Sequence, residues 1–95
     1  MKAWEMFEKN PEKWIQGCKA RDSSNMPVSP RDMDATRFCL LGVLEHGYGL
    51  EHGKARADFK DANPGHWNIY TIVDWKDDPD MTVEEVIEAL KRADL

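Results

Sequence analysis

The stretch SPRDMDATRFCLLGVLEHG, from Ser29 to Gly47, decides how the fold is read. Ser29 suits an N-cap, Pro30 suits the first helical position, and Asp32 places a carboxylate in the first turn, against the positive end of the helix dipole. Met33, Arg37, Leu40, Leu41 and Leu44 then share one face, while Ala35, Phe38 and Gly42 line another. A helix that is apolar on more than one side belongs in the middle of a domain. His46-Gly47 closes it, because glycine readily takes the left-handed conformation after a helix end. The reading predicts a central buried helix on which the rest of the chain packs.

Toward the N-terminus, KAWEMFEK (residues 2–9) gathers Ala3, Trp4, Met6 and Phe7 on one helical face. Asn10-Pro11 ends that helix and suits the start of a short new turn. Between Trp14 and Ser29 the cluster Asp22-Ser23-Ser24-Asn25 separates two short extended pieces, which predicts a small hairpin. Toward the C-terminus, residues 47–65 read as a loop holding a short helix near Lys54–Asp61. His66–Trp75 fits strand and helix equally well. Thr82-Val83-Glu84-Glu85 is a capping box, and Val83, Val86, Ile87 and Leu90 give a terminal helix its buried stripe. The expected fold is a mainly helical α+β class: about three principal helices with a short β-hairpin, in a single compact domain over residues 1–95.

The composition narrows the function. With 41% hydrophobic and 33% charged residues in 95, the chain has the make-up of one ordinary globule. Eighteen acidic against thirteen basic side chains leave a net charge of −5, opposite to what phosphate contacts require, so no direct nucleic-acid binding is expected. The apolar run Phe38–Leu44 is far short of the roughly twenty residues a membrane span needs. The first residues have no apolar h-region, so no signal peptide is expected, and the expected location is the cytoplasm. Reduced thiols are expected for Cys18 and Cys39, and the four tryptophans are expected to supply much of the core.

Asp78-Pro79-Asp80-Met81-Thr82 matches the Asp-x-Asp-x-Thr pattern of phosphoryl transfer, but a chain of this length lacks room for the surrounding α/β domain. A turn into a capped helix accounts for it better. His46, His52 and His66 have no metal-ligand spacing with the cysteines, and Cys39 lies in the most apolar stretch, a poor setting for a thiolate nucleophile. No catalytic residue, metal or cofactor is expected. The acidic stretch Asp74–Glu88 reads as a solvated face. A nucleotide-type ligand would use Trp14, Gln16, Arg21, Arg37, Trp75 and Asp77, stacking on an indole and setting phosphates against arginine. Arg37 sits among apolar residues and calls for a counter-charge: an anionic ligand, or an ion pair with Asp22 or Asp77.

Three stretches taken together, Trp14-Ile15-Gln16-Gly17 with Ala20-Arg21-Asp22, then Ala35-Thr36-Arg37-Phe38-Cys39-Leu40-Leu41-Gly42, then Trp75-Lys76-Asp77-Asp78-Pro79 before Thr82, Glu85 and Val86, resemble a family of small uncharacterised proteins from bacteriophage and bacterial genomes. The sequence departs from that pattern at Lys76, where the family favours asparagine. The resemblance implies a phage accessory protein acting in the host cytoplasm. The leading expectation is a non-enzymatic protein that binds a host component, with a defence component among the targets. The alternative is a small-ligand binder that sequesters a nucleotide-type anion, and a small hydrolase ranks third.

Overall fold

The computed structural model describes residues 2–64, 75 and 77–95. The first helix, α1 (Ala3–Lys9), buries Ala3 and Phe7, as the spacing of its apolar residues requires. Asn10 closes it and Pro11–Lys13 forms a single 3-10 turn with the proline at its start. Two short strands follow, β1 (Ala20–Arg21) and β2 (Arg37–Phe38), paired antiparallel with Ala20 opposite Phe38 and Arg21 opposite Arg37. Further bridges join Trp14 to Phe38 in parallel and Arg21 to Pro27 antiparallel. Helix α2 (Leu40–Tyr48), a 3-10 turn at Gly49–Glu51, helix α3 (His52–Ala62) and helix α4 (Val83–Arg92) complete the described elements. This is the expected α+β class, with α1, α2 and α4 as the principal helices. The short helix expected inside the 47–65 loop is α3, and it is longer than the sequence suggested.

The central helix starts much later than Ser29. The Ser29 Oγ accepts from the Arg31 backbone at 3.2 Å and the Asp32 carboxylate from the Asp34 backbone at 2.8 Å, so both side chains stabilise turns instead of a first helical turn. Arg37 and Phe38 are then taken by the edge of β1. The helix begins where Cys39 acts as N-cap, its Sγ accepting from the Gly42 backbone at 3.3 Å. Met33, expected on the buried face, is 99% exposed. The helix also runs past His46-Gly47, ending at Tyr48 with Gly49 at φ +56° as its cap.

The hairpin between Trp14 and Ser29 is present in brief form: Asp22 N–H donates to Met26 C=O and Val28 N–H to Ala20 C=O, around a left-handed Asn25. The strand that pairs with β1 is β2, whose residues the sequence pattern places in a helix. Trp14, Phe38 and Ala20 thus lie side by side. Ala20 and Phe38 turn inward, and the next row, Arg37–Arg21–Pro27, lies on the opposite face.

The core is built on Phe7, Phe38, Phe59, Leu40, Leu44, Val86 and Leu90, all essentially inaccessible. Trp4, Trp14 and Trp75 are half-buried at its rim, and the Trp4 face carries Lys91 Nζ at 4.8 Å. Trp67 and the ambiguous residues 66–74 lie outside the described residues. Gly42 is the point of closest approach between helix and strand layers. A Cβ there would overlap the Lys19 carbonyl, which itself accepts from Cys39 N–H at 3.1 Å. Helix α1 lies against α4, and α2 lies against α3. Leu95 is buried beside them, its carbonyl accepting from Ala3 N–H at 2.6 Å and from the Tyr48 hydroxyl at 3.0 Å. Asn63, 4% exposed, ties α3 to α4: its amide donates to Phe59 and Ala89 carbonyls while its oxygen accepts from Arg92. Thr82 caps α4 as expected, its hydroxyl accepting from Glu85 N–H at 3.3 Å.

Candidate functional site

The six residues expected to meet a ligand fall into two groups. In the first, the Gln16 amide donates to the Asp78 carbonyl at 2.9 Å, and the Gly17 N–H donates to the Asp77 carboxylate at 3.1 Å. Gly17 holds φ +90°, a conformation that side chains avoid, so the chain can present that N–H only with glycine there. Trp14 and Trp75 pack against the core on either side of this junction, Trp75 with its ring 5.7 Å from Phe59. The Trp14 Nε1 is buried, with no hydrogen-bond partner among the described residues. Asp78 organises its own turn, its carboxylate accepting from Asp80 N–H at 2.9 Å, which matches the reading of Asp78–Thr82 as a turn into a capped helix.

The second group is the outward row of the small sheet. Arg21 and Arg37 occupy directly opposed positions, which places both guanidinium stems on one face. Arg21 Nη1 donates to the Asn25 carbonyl at 2.8 Å, and Arg37 enters no ion pair or side-chain hydrogen bond among the described residues. Neither of the pairings expected for Arg37 is formed. The Asp22 carboxylate is occupied by Ser24 and Met26 N–H groups at 2.9 Å, and that of Asp77 reaches Gly17.

Around this row lies a set of exposed turns. Met26 (60% exposed) tips the hairpin, Met33 lies in the 29–36 loop, and Leu50 (87% exposed) lies in the turn between α2 and α3. Hydrogen bonds link the three turns: Thr36 N–H to Arg21 C=O at 2.9 Å at one end of the loop, Arg31 Nη2 to Gly49 C=O at 3.3 Å at the other. The sequence pattern does not point to this face, because it places Met33 on the buried side of a helix and singles out neither Met26 nor Leu50.

Two grooves lie elsewhere. The larger, about 620 Å³, runs between the start of α1 and the end of α2, lined by Met6, Val43, His46 and Tyr48 among others. Its polar groups serve the fold: Tyr48 on Leu95, Lys2 Nζ on the Asp94 carbonyl at 2.8 Å, and His46 Nδ1 on the Pro30 carbonyl at 2.9 Å. The smaller, about 240 Å³, follows Gly53, Arg56, Ala57 and Lys60 on α3. Neither includes any of Trp14, Gln16, Arg21, Arg37, Trp75 or Asp77. Among the described residues no group of three or more His, Cys, Asp or Glu side chains is placed to hold a metal ion, and no helix is long and apolar enough to cross a membrane. No disulfide joins Cys18 to Cys39.

The three stretches that carry the resemblance meet in this fold. The first docks on the third through Gly17 and Asp77, and on the second through Lys19 and Gly42. No curated protein and no solved structure matches the chain. Residues 10–94 match the pattern of DUF6197, and the chain belongs to that family of unknown function.

Proposed function

We propose that the chain is a small, non-enzymatic accessory protein of phage type that binds a host protein in the host cytoplasm. The binding face is formed by the 20–28 hairpin, the 29–36 loop and the α2–α3 turn. The supporting observation is Met33, 99% exposed in a loop tethered at both ends. A large apolar side chain held in water contributes nothing to the core, and methionine's flexible, polarisable thioether suits an adaptable contact surface. Met26 and Leu50 extend the apolar surface to the neighbouring turns, with Arg21 and Arg37 on the adjoining sheet face. Protein binding ranks ahead of nucleotide sequestration because enclosing a nucleotide takes a concave site, and the expected ligand residues line neither groove. The phage assignment is supported by the sequence resemblance, and a host defence component is the target class it suggests.

A photo-crosslinking amino acid at position 33 in the full chain, expressed in bacterial cells, tests this reading. A single discrete adduct is expected, with its yield reduced at least tenfold by Met26→Asp combined with Leu50→Asp. Labelling spread over many proteins, or an adduct indifferent to those changes in a folded variant, refutes it.

A further inference from the structure

We propose that Arg21 and Arg37 together form a binding site for a phosphate-type dianion. This does not depend on the protein-binding reading. The antiparallel register sets the two residues directly opposite one another, where Cβ atoms are about 5 Å apart and like charges repel. Cross-strand pairs normally avoid this arrangement or neutralise it with a carboxylate. Here the Asp22 carboxylate caps its own turn through Ser24 and Met26 N–H, that of Asp32 holds the Asp34 N–H, and the Asp34 carboxylate pairs with neither arginine. No ion pair among the described residues includes Arg21 or Arg37.

The pair is also partly organised in advance. The Asn25 carbonyl, directed by that residue's left-handed backbone, holds one Arg21 N–H at 2.8 Å and restricts where the rest of the guanidinium fork points. Both residues are half-buried, the exposure arginine has when its stem packs on a surface and its charged head stays in water. Each guanidinium has five donors in a planar fork that matches two oxygens of one phosphate. Two forks at this spacing suit a doubly charged tetrahedral anion better than a single carboxylate, which offers one charge and two oxygens.

The full chain, ¹⁵N-labelled, is titrated with orthophosphate, pyrophosphate and phosphoserine, and with acetate and chloride at matched ionic strength. Saturable amide shifts at residues 20–22 and 36–38 are expected with at least one phosphate compound. The tightest of the three identifies the source as free phosphate, a diphosphate or a phosphomonoester. Arg37→Gln is expected to weaken binding about tenfold, the loss of one charge-assisted contact. Arg21→Gln serves as a second variant should the first disturb the sheet, and Arg56→Gln on α3 is expected to leave the response unchanged. Absence of a saturable response, equal binding of acetate, equal shifts with chloride, or binding retained in both arginine variants overturns the proposal.

Discussion

Replacing Gly42 by alanine tests the packing of the helix layer on the strand layer. On propensity alone alanine favours a helix by about 1 kcal/mol over glycine. Here the added Cβ would overlap the Lys19 carbonyl oxygen, a backbone atom that has no rotamer by which to withdraw. Overpacking of this kind costs about 1–3 kcal/mol. Moving α2 away also stretches the Cys39 N–H bond to that same carbonyl, worth about 1 kcal/mol. The balance is a loss of about 1–3 kcal/mol, from a total of about 5–14 kcal/mol for a domain of this size. Thermal unfolding followed by circular dichroism should show Tm falling by about 5–20 °C. Gly47→Ala is the control: it lies in the same helix with nothing within reach of its Cβ, and Tm should rise by a few degrees. A Gly42→Ala protein as stable as the parent, or two glycine variants shifting in the same direction, would refute the close approach.

Other residues give sharp expectations. Asn63→Ala removes three hydrogen bonds from a buried junction and leaves the Ala89 carbonyl without that donor, so urea unfolding should register a loss of about 2–3 kcal/mol. Tyr48→Phe deletes only the hydroxyl contact to Leu95 and should cost about 1 kcal/mol in the same assay. Thr82→Ala removes the α4 cap and should cost about 1 kcal/mol, most of it restored by Thr82→Ser. Met33→Ser should leave stability within about 0.5 kcal/mol, since the side chain is in water.

What could be read from the sequence was local. The Thr82 cap, the break at Asn10-Pro11 and the amphipathic stripe of α1 depend on residues within one turn of each other, and each is found where expected. The Ser29–Gly47 stretch misled because its decisive interactions are not local. Ser29 and Pro30 satisfy every rule for a helix start, yet Arg37 and Phe38 pair with Ala20 and Arg21, and Cys39 becomes the cap. Arg37 stood out as a cation needing a counter-charge and Arg21 as a candidate ligand residue, but their opposition across two strands follows from a register that spacing along the chain does not encode. Asn63 carried no signal at all. An asparagine in a polar stretch reads as surface until α4 is packed beside it.

The contact of α1 with α4 and Leu95 bears on how the polypeptide is made. Helix α1 leaves the ribosome before α4 and Leu95, which supply the surfaces that cover Phe7 and receive the Ala3 N–H. Phe7 therefore emerges with its apolar ring uncovered and stays so until α4 follows, since an isolated helix of this length is unstable in water. The native contact waits until Val83–Leu95 has been made, and it joins segments far apart in sequence, which slows its formation. Ribosome-bound chains stopped before Val83 should consequently be protease-sensitive throughout, including in segments whose own secondary structure is complete in the finished protein.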